Sequence, residues 1–317
     1  VAIYRQTDRQ GLWLGWLGTE PVGCIAGVCY SVAYGFIGLF LVVPQQRGRG
    51  YGVRLWRHAL EHLSDLPCIG LEAAPDRIDD YQGWGFAPAS PTTRWRRGPL
   101  TAAPTPLPAP SHDRPPARSP LAEACAEQSS ADVIPAADAI PTSLLPAAGP
   151  ACSATELPLP VSSVPVISPA WCLLEGRSIP DAAVQRFDAT REPSPRPHFL
   201  HQWLRHPAGT VLALLDRSGV CRGFGRIRPC LLREGEGWRL GPLVADEPAV
   251  AFALLQGLLQ RHPGVVLIDA PAANPEAAPL LQGLGFTPVS RTLRMYRGVL
   301  PSVRLADVYG LACLELG

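Results

Sequence analysis

Lysine is missing from the 317 residues altogether, so all 28 basic side chains are arginine, and methionine occurs once. The missing lysine, together with abundant Ala and Pro, reads as base bias in the coding sequence before function. Excess charge of either sign is absent as well: 28 basic against 27 acidic residues leave a formal charge of +1. That balance excludes a whole-molecule electrostatic grip on nucleic acid or an anionic membrane, so any anion site has to be local. The nine cysteines are an odd number and none forms a C-x-x-C or C-x-x-x-H cluster. Their spacing argues against a metal centre and against a disulfide framework. No signal peptide opens the chain, and the longest apolar run, "FIGLFLVV", falls far short of the roughly 20 residues that span a bilayer. These absences predict a soluble protein of the reducing cytoplasm with no metal, no membrane and no nucleic acid among its partners. The first residue is Val rather than Met, which fits either an unusual start codon or a missing N-terminal piece.

What is present is organised as a repeat. "YQGWGFAPASPTTRWRRG", starting at Tyr81, returns 200 residues later as "LQGLGFTPVSRTLRMYRG", starting at Leu281. Nine of the sixteen residues in Gly83–Gly98 are identical to those in Gly283–Gly298, which points to duplication. Upstream of both copies the patterns also match. "GLWLGWLG" and "PVGCIAGVCY" predict an antiparallel hairpin followed by the strand "GFIGLFLVV"; "GTVLALLD" and "VCRGFGRIRP" predict another, followed by "WRLGPLVA". Each third strand meets a helix, on Leu55, Trp56, Ala59, Leu60 and Leu63 in the first copy and on Val250, Leu254, Leu255, Leu258 and Leu259 in the second. Between the copies, residues 99–170 hold 16 Pro and 16 Ala and no aromatic residue. Such a stretch cannot offset the backbone entropy of folding, about 1–2 kcal/mol per residue, and reads as a flexible linker. The expected division is therefore 1–98, 99–170 and 171–317.

The chemistry-bearing stretch is "VVPQQRGRGYGVRLWRHAL", Val42 to Leu60, where an apolar strand passes through a glycine-rich turn straight into an amphipathic helix. Glycines in such a turn let the backbone close around an anion, and the first amides of the helix have no internal partners. A Walker P-loop is excluded, because Val53 and Arg54 stand where Lys and Ser/Thr are required. A dinucleotide turn stays open: the glycines at 48, 50 and 52 miss G-x-G-x-x-G, but Glu72 lies about 20 residues on. A plain glycine turn with solvated arginines also stays open.

Arg47-x-x-Gly50-x-Gly52, after a strand ending in Val43-Pro44, resembles the R/Q-x-x-G-x-G/A acetyl-CoA signature of GNAT-type N-acetyltransferases. "DYQGWGF", Asp80 to Phe86, is similar to the "LYxxxGF" segment that follows it in that superfamily. The chain as a whole resembles a bacterial subgroup with a second, degenerate GNAT-like domain ending in T-x-R-x-Y-R-G, here Thr292 to Gly298, and a terminal "LELG". The resemblance covers about residues 10–98 and 171–317. It implies an α/β (α+β) fold of two tandem modules, each a mixed, mostly antiparallel sheet flanked by helices. It further implies acetyl-CoA as acyl donor, with Leu41, Val42 and Val43 along the pantetheine arm and Arg47, Gly48, Arg49, Gly50, Tyr51 and Gly52 around the pyrophosphate. Tyr81 matches the general acid of the superfamily, and a phenol with a pKa near 10 carries its proton at neutral pH. Glu72, on the strand beside the implied acyl site, is the best acidic candidate for the base that an attacking amine needs. In the second copy Leu281 replaces Tyr81, and "ADEPAVA", Ala245 to Ala251, offers acids in place of glycines. That copy is expected to keep the scaffold without the chemistry, pack against the first, and shape the acceptor pocket or serve in assembly, with a homodimer left open. Fewer than a dozen residues precede the first hairpin, so the opening strand and two helices of a full module are expected to be missing.

Three functions compete. The first is transfer of an acetyl group to the amine of a small molecule or amino-acid-like acceptor. The second is a non-catalytic acyl-CoA-binding or regulatory protein. The third, a nucleic-acid module built on Arg47, Arg49, Arg54 and Arg57, is disfavoured by the neutral balance and the lack of an aromatic platform among them.

Overall fold

Alternating apolar residues become strands where the pattern has a period of two, and helices follow where it widens to three or four. The computed structural model describes residues 2–98 and 171–316; the linker expected over 99–170 lies outside the described residues. The first half runs α1 (Ala2–Thr7), β1 (Leu12–Leu17), β2 (Glu20–Ser31), β3 (Tyr34–Val42), α2 (Tyr51–His62), β4 (Cys68–Ala73), α3 (Ile78–Gln82) and β5 (Ala87–Arg97). The second runs β6 (Trp171–Glu175), α4 (Asp181–Asp188), α5 (Pro197–Arg205), β7 (Thr210–Asp216), β8 (Cys221–Leu232) and β9 (Gly235–Ala245). It continues with α6 (Pro248–Arg261), β10 (Val266–Pro271), α7 (Ala277–Gly283), β11 (Thr287–Gly298) and β12 (Val308–Gly310). The short helix α1 and the strands β6 and β12 are additions to the elements expected from the sequence.

The sequence suggests two sheets side by side; the molecule contains one. Its order is β1-β2-β3-β4-β11-β5-β10-β9-β8-β7-β6, with β12 on β9. The closing strands have changed places. β11 inserts between β4 and β5, and β5 pairs with β10 on its other side, so each repeat is completed by the strand of the other. The register shows a local two-fold relation: Thr92 stands opposite Thr292 at the centre of the β5–β11 pairing. Trp95 lies opposite Ile268 and is buried in the core of the second repeat, while Met295 lies opposite Leu71 and is buried in the first.

The repeated Thr-x-Arg supplies the other face of these strands. Arg294 Nε donates to Glu72 Oε1 at 2.8 Å, and at the related position Arg94 Nε donates to Asp269 Oδ1 at 2.7 Å. Thr92 and Thr292 donate to the two oxygens of Glu72, at 3.2 and 2.8 Å. A buried ion pair contributes little net stability, but removing one partner strands the other. The seam therefore penalises any register except the observed one.

Three large apolar clusters and a small one of Tyr34, Phe36, Cys68 and Tyr296 hold the sheet. One lies under α2 around Trp56, one under α6 around Leu254 and Leu258, and the third on the opposite face. That third cluster joins Tyr4, Ala26 and Val28 of the first repeat to α4, α5 and the chain segment 311–316 of the second.

Candidate active site

Between β3 and α2 the chain turns through Gly48 and Gly50, at φ 75° and 81°. An added Cβ would meet nothing within 4 Å at either position, so backbone conformation rather than crowding requires glycine there. At Gly52 space is tight instead, because a Cβ would lie 3.3 Å from Phe40 Cζ and 3.4 Å from Val42 Cγ2. α2 starts with no side-chain cap, and its first internally bonded amide is that of Arg54, donating to Gly50 O at 3.2 Å. The amides of residues 48–53 make no bond to the described backbone. A run of unpaired donors at the positive end of a twelve-residue helix is a cradle for an oxyanion. The Arg47 guanidinium turns back, its Nε donating to Val42 O at 3.1 Å, and so braces the turn.

Beside this cradle the sheet opens. β3 and β4 are parallel and pair only from Gly35–Ile69 to Ile37–Leu71, after which they separate. The opening coincides with an irregularity in β3: the pairing to β2 slips between Leu41 and Gly38, and Leu39 adopts φ 49°. A leucine in the left-handed region stores strain on the order of 1–3 kcal/mol, and such strain concentrates at working sites. Beyond it, Leu41 and Val43 are exposed at the rim of the gap. The gap between the parted strands is a wedge that a linear amide-bearing chain can enter as if it were a strand.

Tyr81 sits on α3, half-buried, with its ring centroid 5.1 Å from that of Trp56 and 6.5 Å from that of Phe86. Burial pushes its pKa above the usual phenol value, with Arg77 pulling partly the other way. Its hydroxyl therefore keeps its proton at neutral pH. Glu72 is differently placed from the expectation. Its side chain is 2% exposed, and both oxygens already accept bonds from Arg294, Thr92 and Thr292. A carboxylate so engaged serves as counter-ion to Arg294 rather than as an open acceptor for an amine proton. Burial alone pulls the Arg294 guanidinium down, but Glu72, Tyr296 and Tyr34 outweigh it and hold the group well above its ordinary value. A carboxyl with an upward shift that the sequence does not mark is Glu192, from the segment between α4 and α5. Burial raises it to about 7 against the pull of Arg196, whose Nη2 lies 2.7 Å away. Nothing periodic marks Glu192 in "REPSPRP", so only the fold reveals it. Among the described residues no group of three His, Cys, Asp or Glu side chains is placed to hold a metal, and no helix is long and apolar enough to cross a membrane.

Comparison with known proteins agrees with this geometry. Residues 2–86 match the family described as "Acetyltransferase (GNAT) family", and residues 184–310 match an "Acetyltransferase (GNAT) domain". Between them the two matches take in well over half of the chain. The chain belongs to the GNAT acetyltransferase family. A holothin acyltransferase from Pseudoalteromonas sp. (strain SANK 73390) is 25% identical over 312 residues, covering 98% of this chain and 82% of that protein. Among solved structures, a Pyrococcus horikoshii protein provisionally described as an acetyltransferase has a TM-score of 0.65 at 20% identity, covering 100% of this chain and 83% of its own. A tandem GNAT protein from the clavulanic acid biosynthesis pathway has a TM-score of 0.53 at 15% identity, covering 92% and 83%. At these identities the structural likeness is one of fold.

The second GNAT copy shows why a shared fold need not mean a shared site. Its helix α6 opens on Glu247 and Pro248, and the acids there are tied to Arg222: Asp246 Oδ2 lies 2.9 Å from Nε and Glu247 Oε1 2.8 Å from Nη2. Leu281, in the place of Tyr81, is fully buried. The wedge itself is filled. β9 and β10 pair from Trp238–Val266 to Leu240–Ile268 and then part, and β12 occupies the gap: Val308 pairs with Val244, and Leu311 N donates to Asp269 O at 2.8 Å. The chain's own strand stands in an opening that, in the first copy, no strand among the described residues enters.

Proposed function

We propose that the first GNAT module transfers an acetyl group from acetyl-CoA to the amine of a small, amino-acid-like molecule. The run of unpaired amides from Gly48 to Val53, beside a wedge lined by Leu41, Val42 and Val43, carries this reading. That cradle fits the pyrophosphate of coenzyme A, with Arg47, Gly48, Arg49, Gly50, Tyr51 and Gly52 around it, and the wedge fits the pantetheine arm. The chemistry is then a single displacement. The neutral amine nitrogen attacks the thioester carbonyl carbon, the carbon–sulfur bond breaks, and the Tyr81 hydroxyl gives its proton to the departing thiolate. The nitrogen loses its proton to water, and solvent reprotonates Tyr81. Glu72 takes a positioning role, holding Arg294 and with it β11 against β4. The relative named for acyl transfer to holothin supports an acyl-transfer reaction.

The reading is tested by incubating the full chain with acetyl-CoA and a panel of amines and amino acids while following free thiol. Thiol release that depends on an amine is the expected result. A chain that binds acetyl-CoA but releases no thiol with any amine would instead be the non-catalytic acyl-CoA-binding protein.

A further inference from the structure

Among the described residues, four of the five buried arginines have a carboxylate: Arg196 has Asp188 and Glu192, Arg294 has Glu72, Arg239 has Asp269, and Arg191 has Asp307. Arg226 breaks the pattern, and beside it stands the half-buried Arg228. They alternate on β8 with Ile227, which enters the core under α6, so both guanidinium groups emerge on the opposite face. Each guanidinium carbon lies 5.1 Å from the Trp203 ring of α5. Arg226 is 1% exposed; its Nη2 donates to Ala208 O at 2.7 Å and to His206 O at 3.5 Å. Its Nε, and that of Arg228, are buried with no partner among the described residues. Burial and the neighbouring Arg228 push Arg226 down to about 10, and no carboxylate acts in the other direction. A buried cation left this way is costly unless an anion arrives to pair with it.

The space for one is there. The two arginines line a cleft of about 310 Å³ whose other walls include Tyr4, Trp203, Pro229 and Leu316. That volume is at the lower end of the roughly 300–1,000 Å³ typical of ligand sites. His206 also lines the cleft, and its imidazole is pushed down by burial first and by Arg226 next. Glu315 lines it as well, without forming an ion pair with either arginine. The cleft is separate from the Gly48–Val53 cradle, being built from α1, α5, β8 and the segment before the C-terminus.

We propose that this cleft binds a small organic carboxylate, its oxygens held by Arg226 and Arg228 and its apolar part against Trp203 and Tyr4. A guanidinium fork takes carboxylate or phosphate alike. The aromatic and aliphatic walls favour the first, because they would leave the outer oxygens of a phosphate without donors. The occupant would touch Glu315, whose backbone carbonyl packs on β3 at Gly38, so closely that a Cβ there would overlap it. The site is thereby linked to the irregular part of β3.

The test needs no acyl donor and so does not depend on the acyltransferase reading. The full chain is titrated by calorimetry with acetate, succinate and phenylacetate, with phenylacetamide as the neutral control and inorganic phosphate as the competing class. Binding of at least one carboxylate is expected, about tenfold or more tighter than the amide. Arg228→Gln, at a half-exposed position where folding should survive, is expected to weaken it by a similar factor; Arg226→Met, checked for folding by circular dichroism, should abolish it. No heat with any carboxylate at millimolar concentration, equal binding of the amide, tighter binding of phosphate, or an unchanged affinity in folded Arg228→Gln would each overturn the proposal.

Discussion

Tyr81, protonated at neutral pH like any phenol, is raised further by the place that α3 gives it. Its ring lies against Trp56 and Phe86, burial raises the phenol, and the proton stays available through the neutral range. Tyr81→Phe leaves the packing surface nearly unchanged and removes only the hydroxyl. We expect kcat to fall by about 10²–10⁴ with little change in KM for the acyl donor, as measured by thiol release. Burial shifts Glu192 in the same direction. Its carboxyl is raised from 4.5 to about 7, so the folded protein holds a proton there that the unfolded chain has released. The stabilising effect of that bound proton is complete below pH 4.5 and is lost as pH rises through 7. At about 1.4 kcal/mol per pH unit the loss is on the order of 3 kcal/mol. Glu192→Gln should therefore flatten the stability profile between pH 4.5 and 7, measured by urea unfolding at several pH values; an unaltered slope would count against the assignment. Of the two, only Tyr81 had a signal in the sequence. It stands in a recognisable segment with "GF" behind it, whereas Glu192 acquires its character from Arg196, Asp188 and Arg294 brought around it by folding.

At the scale of elements, the glycine turn and α2 act as one device. Two left-handed glycines aim the amides outward, and the absence of a side-chain cap leaves them open. Gly50→Ala places a Cβ on a residue with φ 81°. The strain is about 1–2 kcal/mol, and the turn can relieve it only by rotating its amides. Acyl-CoA affinity measured by calorimetry should fall several-fold, while thermal stability changes little because the turn is exposed. Its resemblance to the GNAT signature made Arg47-x-x-Gly50-x-Gly52 legible without coordinates, whereas the glycine spacing by itself left a dinucleotide turn and a plain glycine turn open. The splay of β3 from β4 was not legible in the same way. It depends on where hydrogen bonding stops, at Ile37 and Leu71, and on the conformation of Leu39, and no local pattern in "GFIGLFLVV" announces either.

For the molecule as a whole, exchange of β5 and β11 means that neither repeat can be completed alone. Met295 is fully buried in the first repeat although it belongs to the second. Met295→Ala should cost about 2–5 kcal/mol. It should also shift a single unfolding transition seen equally by fluorescence and circular dichroism; two separated transitions would show that the repeats fold independently. The filled wedge of the second copy makes a further statement at this scale. Coenzyme A titrated into the full chain should bind with a stoichiometry of one per chain, because β12 and Leu311 occupy the place that a second pantetheine arm would need.

Local pattern was enough to reveal the duplication, the order of strands and helices in each copy, the glycine turn and the loss of Tyr at position 281, because each is written in neighbouring residues or in a repeat spacing. Tertiary structure alone decided that the copies share one sheet. Thr-x-Arg is the same motif whether its strand closes its own module or the other, and the choice is made by partners far apart in the chain, Glu72 for Arg294 and Asp269 for Arg94. The same distance in sequence hid the plugging of the second wedge and the unpaired arginines on β8, for burial and charge balance are properties of neighbours in space.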